Sequence, residues 1–340
     1  MNREPSVDEI VTIITGVDAQ RNIDELIRAR EDDPNLLSRF DQTPQSLSSH
    51  LKEYVDDEGT VYLLDDEQHE MNFVSYGFLC EIMLPLNLSE MAKSKERFRP
   101  GNVRQAISII GGGSESFAKF IAAQRAIYSF LASTTGREPF RSFVPDYFAG
   151  IECLSSSTKL FSKQKASKGS ASLELPVSLD YTGRVLDVCR RKGFSFTEDN
   201  LVNYWRLVPS STESGFDVVD IPVSFFSVGQ LVEVKLSFRA YKLGHSYVFR
   251  TKLNSVTVYN DDVTREIDDM IYRQERGRQE SNQMKIGAPK TRKMSEYRLS
   301  HLRSIRFLQK LTRSERAGSS EVGPSDYEEI GDVGPVLTVP

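Results

Sequence analysis

The chain is poor in the residues that build most reactive centres. Four histidines (His50, His69, His245 and His301) are scattered through 340 residues, and no pair stands at metal-ligand spacing with a cysteine or carboxylate. The three cysteines, Cys80, Cys153 and Cys189, are odd in number and far apart. That pattern points to reduced thiols in an intracellular protein, cytoplasmic or nuclear, rather than to a disulfide framework. No Gly-x-Ser-x-Gly elbow, kinase signature or zinc-hydrolase motif is present. No window of 18 residues is apolar and uncharged, and the opening MNREPSVDEI lacks a basic segment followed by an apolar one. Neither a membrane span nor a signal peptide is therefore expected. These absences speak against a compact catalytic motif and against a bound metal or cofactor. An enzyme with a site assembled from distant residues stays open.

Charge is present but unevenly placed. The formal total of −5 hides an acidic head: residues 1–70 carry 6 basic and 18 acidic side chains. Residues 263–316 carry 14 basic and 7 acidic, and residues 317–340 carry 5 acidic and none basic. An acidic head, a basic segment and an acidic tail are open to two readings, polar solvated ends or contact surfaces for charged partners.

Along the chain, residues 6–33 have apolar side chains at helical spacing, ended by Asp32-Asp33-Pro34. Residues 60–64 read as a strand, and 73–84 as a buried element of either type closed by Pro85. Gly111-Gly112-Gly113-Ser114 precedes a helix reaching about Ser133. It lacks the Lys-Ser/Thr pair of a P-loop and the third glycine of the dinucleotide fingerprint, so it reads as a joint. Residues 155–172, SSSTKLFSKQKASKGSAS, are rich in Ser and Lys and read as a linker. Thr197 is placed to cap a short helix carrying Leu201, Val202, Tyr204 and Trp205. Pro222 confines a strand over 216–226 to an edge or bulge.

The clearest signal is at 228–259. Val232, Val234, Leu236, Phe238 and Ala240 alternate with Glu233, Lys235, Ser237, Arg239 and Tyr241, which is the period of a half-buried strand. Gly244 sits in the following turn, and the apolar parity of the return strand flips between Leu253 and Val256, which predicts a β-bulge near Asn254-Ser255. The outer face then holds Lys235 and Arg239 on one strand and Arg250 and Lys252 on the other, with Tyr241 and Lys242 at the tip. Cations for phosphate and aromatic rings for bases are what a single-stranded nucleic acid requires. The plainer reading is a sheet face wetted by long side chains. A helix over 295–316 adds Arg303, Arg306, Lys310 and Arg313 on one strip. It would contact nucleic acid, lie on an anionic membrane, or dock on the body of the protein.

The run Gly229-x-Leu231-Val232-Glu233-Val234-x-Leu236-Ser237-Phe238, followed by Leu253-x-Ser255-Val256-x-Val258, resembles a pattern in uncharacterised proteins of mushroom-forming fungi. That group implies no catalytic residues. The same run is similar to the later strands of oligonucleotide-binding (OB-like) barrels. Such a barrel closes from five strands, of which three are legible between 216 and 259.

The expectation is an α+β protein in five parts: a mainly helical region 1–154, a linker 155–172, a β-rich antiparallel module 173–262, a basic helical extension 263–316 and a disordered acidic tail 317–340. Its expected role is non-enzymatic binding of single-stranded DNA or RNA. The alternative is a structural or protein-interaction subunit that meets partners or copies of itself.

Overall fold

The two alternating runs around Gly244 pair into a long hairpin, and strands from both halves of the sequence assemble on its two outer edges. The computed structural model describes residues 7–85, 88, 98–134, 139–163, 172–177, 179–180, 183–210 and 215–285. Residues 278–340 form a unit apart from 1–277, and of that unit only 278–285 are described.

The helices are α1 (Val7–Ile14), α2 (Val17–Ala29), the single turn α3 (Pro44–Leu47), α4 (Glu115–Thr134), α5 (Arg184–Arg191) and α6 (Asp262–Lys285). The first six strands are β1 (Lys52–Val55), β2 (Val61–Leu64), β3 (Phe73–Met83), β4 (Arg104–Ile110), β5 (Asp146–Phe148) and β6 (Ile151–Lys159). The others are β7 (Ser162–Lys163), β8 (Phe194–Ser195), β9 (Asn203–Pro209), β10 (Phe216–Asp220), β11 (Leu231–Leu243) and β12 (Ser246–Asn260). The protein is α+β, and its large sheet runs β10-β9-β12-β11-β3-β4-β6-β5, with β1 and β2 attached to β11.

The sheet curls on itself. Strand β6 comes back against β12, where Thr158 Oγ1 donates to the Leu253 carbonyl at 2.7 Å. Strands β12, β11, β3, β4 and β6 thus form a partly open five-stranded barrel. Three of its strands lie before residue 160, which is why only part of it was legible between 216 and 259.

One face of the β11–β12 ladder carries Val234, Leu236, Phe238 and Ala240 beside Phe249, Leu253 and Val256, all buried. Helix α4 reaches this face: its Gln124 Nε2 donates to Thr251 Oγ1 at 3.2 Å. Phe238 stacks on Phe249 at 5.4 Å between centroids and tilts against Phe73 at 5.1 Å. The expected bulge is present, because Lys235 pairs with Ser255 and Leu236 with Leu253, leaving Asn254 unopposed. That extra residue lets Leu253 and Val256 share the buried face despite their opposite parity.

The glycine run is a packing device. Gly112 has φ +59°, and a Cβ there would lie 2.3 Å from the Ile14 carbonyl oxygen at the end of α1. Gln20 Nε2 donates to the Gly112 carbonyl at 2.7 Å. Ser114 Oγ accepts from the Phe117 N–H, capping α4, and donates to Asp24 at 2.6 Å. The Ser114 hydroxyl thus satisfies one N–H of the first turn of α4 and ties that turn to α2.

Several expectations need correction. Residues 155–172 are not a linker between domains, because 151–159 form β6 inside the barrel, paired to β4 from Arg104↔Lys159 to Ile109↔Leu154. Serine and threonine mislead here because their hydroxyls are satisfied internally: Ser155 bonds Ser108 at 2.9 Å, and Thr158 bonds the Leu253 carbonyl. Leu160 and Phe161 are fully buried, and residues 164–171 lie outside the described set. Region 1–154 is not mainly helical, since it supplies β1–β5 and the start of β6, so 1–154 and 173–262 share one core. Thr197 caps only a three-residue turn (Glu198–Asn200), and Tyr204 and Trp205 lie on β9 rather than on a helix. The described start of the segment 263–316 is helical, in α6, and over 263–285 it holds five basic and five acidic side chains. The helix over 295–316 and the tail 317–340 lie outside the described residues.

Phe238 has no exposed surface and contacts aromatic rings on β3 and β12. Phe238→Ala is expected to lower stability by about 3–5 kcal/mol in urea unfolding. A loss below about 1 kcal/mol would mean that the barrel interior does not pack around this ring.

Candidate nucleic-acid interface

The opposite face of the same hairpin is open near its tip. Cross-strand pairing sets Arg239 against Arg250 on β12 and Tyr62 on β2, and Tyr62 against Tyr54 on β1. Paired residues share a face, so β1, β2, β11 and β12 together present Tyr54, Tyr62, Arg239, Tyr241, Arg250 and Lys252. Tyr54 is 52 % exposed and Tyr241 37 % exposed. The Tyr54 and Tyr62 ring centroids stand 6.3 Å apart.

Arg239 organises the face and is itself almost fully buried, at 4 % exposure. Its Nε donates to Glu70 Oε1 at 2.5 Å and its Nη2 to Glu70 Oε2 at 2.6 Å, a bidentate pair. Its Nη1 donates to Asp199 Oδ1 at 2.8 Å and to the Tyr241 hydroxyl at 3.4 Å. The guanidinium carbon lies 4.7 Å from the Tyr62 ring centroid, a cation–π contact. Lys252 Nζ donates to the same Asp199 oxygen at 2.9 Å.

Burial works against the charge on Arg239, and the bond to Glu70 with the nearby Asp199 outweighs it, holding the guanidinium protonated. Burial likewise pushes Asp199 up, but Arg239 and Lys252 more than reverse this and keep its carboxyl below the ordinary Asp range. Burial is also the main reason that the Tyr62 phenol stays neutral, with a pKa above its ordinary value.

Beside this cluster lies an open hollow of about 570 Å³, lined by Tyr54, Asp56, Tyr62, Leu64, Gln68 and Glu70. Asp56 is fixed at its rim: Oδ1 accepts from the Glu58 and Thr60 N–H groups at 2.8 and 2.9 Å, and Oδ2 from the Tyr62 hydroxyl at 3.1 Å. The hollow thus offers aromatic rings with hydrogen-bond acceptors between them.

The sequence-expected residues separate into groups. Lys235, Arg239, Arg250 and Lys252 do share a face, but Arg239 is not a free surface cation and Lys252 is bound to Asp199. Lys235 is partly exposed and lies 4.0 Å from Glu233. Arg250 is exposed on the open face, Tyr241 lies over Arg239, and Lys242 sits at the exposed tip. Arg303, Arg306, Lys310 and Arg313 lie outside the described residues.

Sequence reasoning missed Tyr54, Tyr62, Asp56, Glu70 and Asp199. The strand at 60–64 was legible, but Val61-Tyr62-Leu63-Leu64 does not alternate in polarity, so nothing local set Tyr62 outward. No local signal joins Glu70 to an arginine 169 positions away.

No protein-family model matches the chain, and no curated protein matches it. Among solved structures it is similar to a C-terminally truncated single-stranded DNA-binding protein of bacteriophage Enc34, at 10 % identity and TM-score 0.31. That match covers 62 % of this chain and 95 % of the phage chain. A second structure of the Enc34 protein matches at 9 % identity and TM-score 0.29, covering 61 % and 88 %. The single-stranded DNA-binding protein gp2.5 of bacteriophage T7 matches at 11 % identity and TM-score 0.30, covering 56 % and 86 %.

Arg239→Ala leaves Glu70 and Asp199 without their shared cation and is expected to cost about 2–3 kcal/mol, less than a wholly buried pair because both carboxylates reach solvent. Arg239→Lys is not expected to restore it, since an ammonium cannot form the two-pronged bond. Urea unfolding of both variants checks this. The depressed pKa of Asp199 contributes stability that is present above the ordinary Asp range near pH 4 and lost as pH falls through the lower folded value. Asp199→Asn should therefore flatten the pH dependence of stability below about pH 4.

Proposed function

We propose that this protein binds single-stranded nucleic acid, without catalysis, on the outer face formed by β1, β2, β11 and β12. The observation that carries the reading is the trio Tyr54, Tyr62 and Tyr241 arranged around one internally balanced arginine, with the hollow that Tyr54 and Tyr62 help to line. Stacking on aromatic rings suits every base, because each has a π-face. The volume of the hollow falls in the range of small-molecule sites, roughly 300–1,000 Å³. Asp56 and Glu70 repel phosphate and accept from amino and imino groups, so the base rather than the backbone faces inward.

The backbone then runs along the exposed cations. Arg239 and Lys252 already hold carboxylates, so Arg250 is the clearest phosphate contact, with Lys235 further along the face. Binding on such a surface draws more on stacking than on charge. It is expected to tolerate salt better than a duplex-binding protein, whose affinity depends on many phosphate contacts.

Fluorescence anisotropy with a labelled oligo-dT and an unstructured RNA tests this across a salt series. Tyr54→Ala and Tyr62→Ala are each expected to weaken binding by about 1–3 kcal/mol. Arg250→Gln should shallow the log–log salt slope by about 0.7, one phosphate's share on a single strand. Absence of binding by the wild-type protein at low salt, or affinity indifferent to both tyrosine substitutions, overturns the proposal.

A further inference from the structure

The large sheet ends on β10, whose five residues are all exposed. Of the open edges among the described residues, β5 is three residues long, and β1 carries Lys52 and Glu53, which discourage pairing. Strand β10 is different. Phe216 is 70 % exposed, Val218 58 % and Val219 37 %, and the strand holds no lysine, proline or bulge. Its charges are the two aspartates Asp217 and Asp220, and three exposed apolar side chains on an edge without lysine, proline or bulge are features that other proteins avoid to stay monomeric.

The hydrogen-bond phase of this edge is determined. Ser210 N–H donates to the Gly215 carbonyl, and Ile221 N–H to the Tyr204 carbonyl, each at 3.0 Å. In an antiparallel ladder the inward-bonding residues recur every second position. Positions 215, 217, 219 and 221 therefore face β9, while Phe216, Val218 and Asp220 point their N–H and C=O groups away from the sheet.

We infer that β10 is a self-association surface, pairing antiparallel with β10 of a second copy about a two-fold axis at Val218. In that register Val218 meets Val218, Phe216 meets Asp220 and Asp217 meets Val219, so all three outward residues find both partners and no aspartate faces another. Shifting the axis to Asp217 sets that carboxylate against its own copy and leaves Asp220 unpaired, which like-charge repulsion disfavours. Of the registers this hydrogen-bond phase allows, the Val218 axis alone pairs all three outward residues within the strand, and this self-complementarity names a second copy as its occupant. The contact lies on the β9–β10 arm and uses none of the residues of the tyrosine face.

A five-residue strand pair buries less than the roughly 1,200–2,000 Å² of a standard stable interface. The dimer is therefore weak and dependent on concentration. Sedimentation equilibrium of the full chain from about 1 to about 200 µM should show the average mass rising toward twice that of the monomer, a range suited to an interface of this size. Val218→Lys places a charge at the axis, and Val218→Pro removes an N–H that β9 does not use. Each is expected to raise the dissociation constant by about tenfold or more, equal to about 1.4 kcal/mol, with an unchanged thermal unfolding midpoint. A wild-type protein monomeric across the range overturns the inference and leaves the edge to a strand from another protein. A dimer that survives both substitutions in the folded protein overturns it equally, by placing the interface elsewhere.

Discussion

Everything in the sheet depends on the backbone ladder of the β11–β12 hairpin. A strand buried on both flanks must pair its N–H and C=O groups on both sides, and each arm of this hairpin does so with a different part of the chain. Strand β11 takes β3 over Leu231–Leu236 and β2 at Arg239–Ala240. Strand β12 takes β9 in parallel over Ser255–Val258 and meets β6 through Thr158. Pairing with β3 ends at Leu236, one residue past the bulge, and β2 joins beyond it. The bulge thus lies near the point where the hairpin passes from the barrel to its tip.

Burying one face of that hairpin determines what the other can be. Phe238 points into the core, so Arg239 must point out, yet it lies beneath the loop bearing Glu70 and the turn bearing Asp199. A buried guanidinium is tolerated only when its donors are satisfied and its charge is balanced. Glu70, Asp199, Tyr241 and the Tyr62 ring meet both needs. The acidic head therefore contains one structural counter-ion, Glu70, and Asp199 from a later segment supplies the other.

The helices are fitted to this sheet through close backbone approach. Gly112 lets the turn before α4 touch the end of α1, and Ser114 caps α4 while bonding Asp24 of α2. Arg30, just beyond α2, has its charge favoured chiefly by Tyr259, with Tyr76 and Glu233 adding to it. Glu233 accepts from the Tyr76 and Tyr259 hydroxyls, both at 3.0 Å. Glu233, Tyr76 and Tyr259 are thus paired with one another at this end of the hairpin, whereas Tyr54 and Tyr241 near the tip keep exposed ring surface.

Local order was legible in the residues themselves. The two-residue period of 231–241, the turn at Gly244, the parity flip that marks the Asn254 bulge, and the helix near 115–134 all follow from neighbours a few positions apart. The single helical run expected over 6–33 is instead divided at Thr15-Gly16 into α1 and α2. What the chain could not declare locally is which strands meet. Ser155–Thr158 has the composition of a linker and becomes a barrel strand because β4 and the Leu253 carbonyl satisfy its polar groups. Arg239 has the spacing of a surface cation and becomes a buried one because Glu70 and Asp199 arrive from distant segments. Alternation records which side of a strand faces the core, since that depends on a period of two. Whether the other side meets water or counter-charges depends on long-range pairing, and only the tertiary structure decides that.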